Sequence, residues 1–162
     1  MRYNTLPLFL MLLAGCQYDP YAQQFTTNQP EASDVHGEYI LAQQTISSGG
    51  LAILGGRECA LYLHEDGRFV ATNYPTWKPT FTDGSGQFAE FLSSTGRWSC
   101  QTVGTVSDGS GSRSTWGIRV DATDRRLKSD HFTLTGSEPP YGLIMTYGDP
   151  DAGTVLIFRR RP

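Results

Sequence analysis

The stretch ECALYLHEDGRFVATNY, residues 58–74, decides the fold. Its apolar side chains recur at every second position in each half of the run: Cys59, Leu61, Leu63, Phe69 and Ala71. The turn dipeptide Asp66-Gly67 stands between the two halves. A period of two residues is typical of a half-buried antiparallel strand, and a glycine-containing turn between two such runs is typical of a hairpin. The stretch therefore predicts two antiparallel strands, each with one apolar face.

The same alternation continues through the rest of the chain. Six further runs, rich in β-branched and aromatic residues, are separated by glycines and turn dipeptides: residues 37–41, 96–103, 115–121, 131–136, 141–147 and 154–160. No long segment has a convincing helical period. Eight antiparallel strands in hairpin order can close into a small barrel, which removes exposed sheet edges. Residues 37–162 are thus predicted to be an all-β domain, a single antiparallel barrel of about eight strands, with a β-sandwich as the alternative.

An apolar block lies near the N-terminus. Residues 6–14 are apolar apart from Pro7, and they follow a short polar start with one basic residue, Arg2. A helix needs about 20 apolar residues to cross a bilayer, and this block is about half that length. A basic start, a short apolar block and small residues before a polar break are typical of a secretory signal peptide. We therefore expect residues 1–15 to direct export and to be removed.

The tetrapeptide Leu13-Ala14-Gly15-Cys16 ends this block and resembles the lipobox of bacterial lipoproteins. The resemblance implies cleavage before Cys16 and a diacylglyceryl group on its thiol, so the membrane becomes a partner through covalent lipid. Several acyl chains on one residue give stable anchoring. In enterobacterial lipoproteins an Asp after the cysteine favours the inner membrane. Gln17 stands there in this chain, so the resemblance favours the outer membrane. The alternative is a buried helix in which Cys16 is incidental.

The segment after Cys16 reads QYDPYAQQFTTNQPEASD, residues 17–34, and lacks an apolar period. A segment of this composition cannot bury enough apolar surface to offset the entropy of ordering. We therefore expect residues 16–36 to be the lipidated cysteine and a flexible, disordered tether to the barrel. At no more than about 3.3–3.6 Å per residue, the tether would reach on the order of 60 Å.

Three cysteines leave one without an intramolecular partner. If Cys16 is lipidated, Cys59 and Cys100 remain as an even pair, and export places them in an oxidising compartment where disulfides persist. Both lie on predicted apolar faces, so we expect a Cys59–Cys100 disulfide. Two free thiols or a metal pair are the alternatives. No C-x-x-C spacing occurs and the three histidines are scattered, so no metal site is expected.

One long interruption breaks the strand rhythm, residues 74–94. After Tyr74 it carries four aromatic side chains among Pro, Gly and polar residues: Trp77, Phe81, Phe88 and Phe91. Residues 87–92 could form one or two helical turns. Loops longer than about 12–15 residues are usually functional or disordered. We expect a plug whose aromatic rings cap the open end of the barrel, or alternatively a lid over the barrel mouth or a loop that docks a partner.

Two short motifs give the predicted barrel a loose family resemblance. Gly37-Glu38-Tyr39 at the first strand and Gly96-Arg97-Trp98 in mid-chain, together with the order of short strands, resemble lipocalin and calycin barrels. This resemblance implies a barrel that holds a small apolar ligand.

Charge and motifs narrow the function further. The chain carries 13 basic and 16 acidic side chains, a net charge of −3, whereas a nucleic-acid surface needs clustered Lys and Arg. It contains no nucleophile elbow, zinc-protease or phosphate-loop motif, and no cofactor is expected. The favoured hypothesis is a non-enzymatic envelope lipoprotein that binds a protein partner or a small apolar ligand. The alternatives are a periplasmic inhibitor of a lytic enzyme, and an enzyme in which His64 or His131 meets a carboxylate in a pocket.

Overall fold

Eight antiparallel strands form a closed barrel in the computed structural model, which describes residues 19–79, 86–107, 111–127 and 131–162. Each strand pairs with the next along the chain, and the last pairs back with the first. The strands are β1 (Gly37–Gln44), β2 (Ala60–Leu63), β3 (Arg68–Pro79), β4 (Gly86–Ser107), β5 (Ser112–Ala122), β6 (His131–Thr135), β7 (Gly142–Thr146) and β8 (Val155–Arg160). The predicted all-β barrel is confirmed, and the sandwich alternative is wrong.

The helical elements of the described residues are short. One α-helix, α1 (Ala32–Val35), precedes β1, and the others are 3₁₀ turns at Ala22–Gln24, Gly50–Leu54, Arg125–Leu127 and Pro150–Ala152. No helix in this part of the chain is long and apolar enough to cross a membrane.

The barrel has two ends with different connections. The upper end carries the connections β1–β2, β3–β4, β5–β6 and β7–β8, and the lower end carries the other three. At the lower end α1 packs its Val35 into the core, where this side chain is completely buried. The Tyr39 hydroxyl donates a hydrogen bond to the Val35 carbonyl at 2.6 Å. This bond ties α1 to the interior and closes the lower end.

The hairpin of residues 58–74 builds one wall of the core, as its alternation predicts. Leu61 pairs with Ala71, and Leu63 pairs with Phe69. All four side chains are at most 2% exposed. Burying a leucine or phenylalanine side chain contributes about 1.5–3 kcal/mol, so this hairpin is a main source of stability.

Side chains from the other strands fill the interior beside this wall. They are large, apolar and fully buried: Tyr39, Ile118, Phe132, Leu134, Leu143 and Phe158. Phe132 meets Phe158 edge to face, with ring centroids 5.9 Å apart. The middle and lower part of the barrel is therefore a packed core and not a hollow tube.

The prediction that residues 74–94 interrupt the strands is wrong, because residues 74–79 and 86–94 of this range are strand. β3 continues to Pro79 and β4 begins at Gly86, so residues 87–92 are extended and not helical. Pro75 pairs with Phe91 in this ladder. A proline is tolerated where its missing N–H costs no ladder bond. β2 pairs with β3 only as far as Thr72, so the proline lies beyond the reach of that neighbour.

Residues 19–36 are not the expected flexible tether, because this segment contacts the barrel. The Thr26 amide donates to the Leu134 carbonyl, and the Trp116 amide donates to the Thr26 carbonyl, both at 2.9 Å. β5 and β6 pair directly at only three positions, from Gly117 to Arg119. The segment supplies the partners that these strands lack beyond that point, which is the physical reason it is ordered. We call residues 19–30 the strap; Cys16 and the rest of residues 1–18 lie outside the described residues.

The predicted Cys59–Cys100 disulfide is corrected by the structure, in which both residues are free thiols. Asn73 contacts the Glu58 carbonyl through its side chain and the Ser93 hydroxyl through its amide, so Cys59 lies level with Ser93. Cys100 lies seven residues further along β4, from 93 to 100. At about 3.3 Å per residue this is roughly 23 Å, whereas a disulfide needs Cα atoms about 4.4–6.8 Å apart. Strand alternation correctly predicts inward faces but carries no information about height in the barrel.

Candidate functional site

A cavity of about 400 Å³ opens at the upper end of the barrel. Most of its lining comes from strands that are distant in sequence, β3, β4, β7 and β8. The lining residues are Tyr74, Pro75, Thr76, Trp77, Lys78, Ala89, Glu90, Arg126, Met145, Tyr147 and Leu156. Small-molecule pockets typically measure about 300–1,000 Å³ and are mainly apolar and aromatic, and this cavity has those features.

Two tyrosines hold the cavity wall in place through specific contacts. Tyr74 stacks on Phe158 with ring centroids 6.3 Å apart, and its hydroxyl lies 2.7 Å from the Met145 sulfur. The Tyr147 hydroxyl donates to the Trp77 carbonyl at 3.0 Å, and the two rings lie 6.4 Å apart. These contacts tie the floor of the cavity to the packed core and join β7 to β3, so the cavity is largely preformed.

Trp77 carries an unusual feature for a buried residue. Its side chain is only 8% exposed, and its indole Nε1–H is buried with no hydrogen-bond partner among the described residues. Leaving a buried donor unpaired costs about 1–3 kcal/mol. Such groups are rare in folded proteins and call for a specific cause. The position of Trp77 is therefore not explained by optimal packing alone.

The rim of the cavity is charged, in contrast to its walls. Arg126 forms ion pairs with Glu90 and with Asp124. Hydrogen bonds from the Arg126 side chain and backbone lower the pKa of Asp124 to about 2. Lys78 is exposed and also lines the rim. A molecule seated in the cavity would thus place apolar atoms on the walls and any polar group near this rim.

Of the four aromatic residues predicted to form one loop site, the structure describes three. Trp77 lines the cavity, and Phe81 lies outside the described residues. Phe88 and Phe91 pack on each other with ring centroids 4.8 Å apart, and the Arg57 guanidinium covers the Phe91 ring at 4.8 Å. Neither of these phenylalanines lines the cavity. Because Trp77 is nearly buried and stands on a strand, the exposed docking anchor that the loop hypothesis required is not found there.

The sequence interpretation missed most of the cavity wall. Tyr74, Met145, Tyr147 and Leu156 come from three strands, and nothing in one run of sequence joins them. The alternation in residues 141–147 does predict that Met145 and Tyr147 share a face. What it could not supply is that this face meets Trp77 at the open end.

The histidines proposed for catalysis lie elsewhere. His64 is in the β2–β3 turn, where its carbonyl accepts a hydrogen bond from the Trp98 indole at 2.9 Å. His131 is exposed at the start of β6. Neither lines the cavity at the upper end. Among the described residues no group of three or more His, Cys, Asp or Glu side chains is placed to hold a metal ion. The dispersed-residue enzyme hypothesis therefore gains no support from either histidine.

No similarity to a known protein adds to the description of the fold or of this cavity. No protein-family model matches the chain, and no curated protein or solved structure is significantly similar to it.

Proposed function

We propose that this protein is an exported, lipid-anchored envelope protein whose barrel binds a small, largely apolar molecule at its upper end. The observation that carries the proposal is the cavity of about 400 Å³ walled by Tyr74, Trp77, Met145, Tyr147 and Leu156. Apolar surface removed from water drives binding by about 25 cal/mol per Å². A preformed pocket adds to affinity because little order must be created on binding.

The charged rim limits the kind of molecule that fits. Glu90 and Arg126 already pair with each other, so neither of them favours a fully charged ligand. An apolar body with one polar end matches the walls and the rim together.

Membrane anchoring is supported by the tetrapeptide Leu13-Ala14-Gly15-Cys16 alone. The parity argument from the cysteines no longer contributes, because Cys59 and Cys100 do not pair. The strap is described from Asp19 onward, three residues after Cys16, a reach of no more than about 11 Å. An acyl group at Cys16 would therefore hold the barrel close to the membrane surface, and not at the end of a long tether.

Binding can be tested with the neutral apolar fluorophore N-phenyl-1-naphthylamine, whose emission rises in an apolar site. We expect saturable emission with the full chain, and a loss of at least about tenfold in affinity for Ala89→Phe, which fills the cavity. Ala52→Phe is the matched control, because Ala52 is an exposed alanine in the 3₁₀ turn Gly50–Leu54 and does not line the cavity. Equal binding by both variants, or no saturable binding at all, would refute the ligand proposal.

Anchoring is tested separately by mass spectrometry of the protein extracted from membranes of its native cell. We expect an N-terminus at Cys16 with added acyl mass, and retention of a Cys16→Ser variant in uncleaved, unacylated form. An unmodified chain that still carries residues 1–15 would refute the anchor and leave the cavity proposal untouched.

A further inference from the structure

Most polar side chains in the wall of the cavity at the upper end are already engaged by other protein groups. The Thr76 hydroxyl donates to the Glu90 carbonyl at 3.1 Å. The Tyr147 hydroxyl donates to the Trp77 carbonyl at 3.0 Å, and the Glu90 carboxylate pairs with Arg126. A ligand gains little from donors that the protein already uses internally.

The indole N–H of Trp77 is the exception. Trp77 lines the cavity and is only 8% exposed, and its Nε1–H has no hydrogen-bond partner among the described residues. This group can only donate a hydrogen bond. The Nδ1 atom of His36 is also buried without a partner, but His36 does not line the cavity. The cavity wall therefore presents a buried donor that lacks an acceptor.

An acceptor from outside the chain would satisfy this donor. Native proteins seldom keep an unpaired buried donor without a specific cause, because it lowers stability. A bound water is a poor partner here, because a buried water needs several polar contacts and the neighbouring walls include Pro75, Met145 and Leu156. An oxygen atom carried by an apolar molecule suits both the donor and these walls.

We propose that the molecule bound in the cavity at the upper end is uncharged and apolar with a carbonyl or ether oxygen, which accepts a hydrogen bond from the Trp77 indole. This inference rests on the proposed function of the same cavity and specifies its ligand class. A carboxylate fits less well, because burying a charge against apolar walls is costly and Arg126 is already paired with Glu90 and Asp124. A plain hydrocarbon would leave the donor unpaired.

Displacement of N-phenyl-1-naphthylamine from the full chain by benzophenone and by diphenylmethane tests the inference. The two compounds have the same pair of phenyl rings, and a carbonyl in the first replaces a methylene in the second. We expect benzophenone to displace the fluorophore at a concentration at least about fivefold lower. Trp77→Phe should abolish this preference because it removes the donor. Comparing both compounds within each variant cancels any general loss of affinity.

Trp98→Phe is the matched control. It makes the same change at an indole that donates to the His64 carbonyl and does not line the cavity, so it should keep the preference for benzophenone. Nitrogen-15 NMR gives an independent readout. The indole N–H signal that is missing from Trp77→Phe should move downfield with benzophenone, and much less with diphenylmethane. Thermal melts check that both variants are folded.

The outcomes separate this inference from the proposed function. Saturable fluorophore binding with equal displacement by both compounds would overturn the acceptor and leave the apolar site standing. A preference for benzophenone that persists in Trp77→Phe, or is lost equally in Trp98→Phe, would also overturn it. Stronger displacement by diphenylacetate than by benzophenone would assign the site to an anion. No saturable fluorophore binding at all would refute both proposals.

Discussion

The lower and upper ends of the barrel are built from the same eight strands but are filled differently. Around the lower half Leu134 and Tyr39 are fully buried, and α1 closes the end beneath them. At the upper end Trp77 and Tyr147 stand around an open cavity. Both ends carry large aromatic side chains, so composition does not distinguish them. What differs is that a cavity remains at the upper end, although the 3₁₀ turns there also bury Leu54 and Leu127.

The hydrogen-bond pairing of the strands also differs between the lower and upper ends. Near the lower end the strap supplies hydrogen-bond partners to β5 and β6 through Thr26. Near the upper end β3 and β4 extend past β2 as a two-stranded hairpin. At the lower end the strap therefore helps to close the fold. At the upper end a cavity with preformed walls remains. This contrast predicts that substitutions at the two ends will have unequal effects.

The largest expected effect comes from emptying the packed interior. Phe132→Ala should lower the free energy of unfolding by about 3–5 kcal/mol, because the side chain is fully buried and its removal leaves a cavity. Denaturant unfolding measures this change. Leu51→Ala is the control at the upper end, where Leu51 is 38% exposed, and it should cost less than about 0.5 kcal/mol. Similar costs for both changes would contradict a packed interior around Phe132.

The next effect concerns the strap. Thr26 is 1% exposed and its hydroxyl donates to the Gly136 carbonyl at 2.7 Å. Thr26→Val keeps the shape but removes this bond, and should cost about 1–2 kcal/mol. Hydrogen exchange should accelerate at the Trp116 amide, which donates to Thr26. If Thr26→Val and the neighbouring Thr27→Val behave alike, the strap does not stabilise the lower end.

Alkaline pH should lower the stability of the barrel through the buried thiol of Cys59. Burial raises the pKa of the Cys59 thiol from 9.0 to about 12. Between these values the unfolded chain loses the thiol proton before the folded chain does, so stability is full below about pH 9 and falls as pH rises. The slope from this one group approaches about 1.4 kcal/mol per pH unit. Cys59→Val should reduce the decline of the urea unfolding midpoint with rising pH. An unchanged decline would show that Cys59 is not buried.

The smallest effect is expected at the cavity. Trp77→Phe removes the unpaired indole N–H and some packing together, and the two changes oppose each other. We expect a change in unfolding free energy of no more than about 1 kcal/mol, measured by the same denaturant method. A loss comparable with that of Phe132→Ala would mean that the lost packing of Trp77 far outweighs the relief of its unpaired donor, and that the cavity wall is no more tolerant than the packed interior.

Local alternation was enough to predict the strands, because the side-chain period of a strand depends only on its own backbone. Leu61, Leu63, Phe69 and Ala71 show this clearly, since their shared burial follows from spacing alone. The strand character of Pro75 could not be predicted in that way. A proline argues against a strand unless one edge lacks a neighbour, and that edge is defined by where β2 stops pairing.

The candidate sites were less predictable than the fold. Trp77 was identified as a site residue from its position in an aromatic-rich stretch, but its partners Met145, Tyr147 and Leu156 were not. The groove between the strap and the barrel wall was not predicted at all, because the strap was expected to be flexible. Sites assembled from several strands leave no pattern in any one of them.

By itself the amino-acid sequence determined the all-β class, the eight strands and the faces that turn inward, because periodicity and turn chemistry act over a few residues. The tertiary structure alone decided that residues 19–30 dock, that Cys59 and Cys100 lie at different heights, and that one end is open. Those outcomes depend on register and closure, which arise only when distant segments compete for the same hydrogen bonds and the same apolar surface.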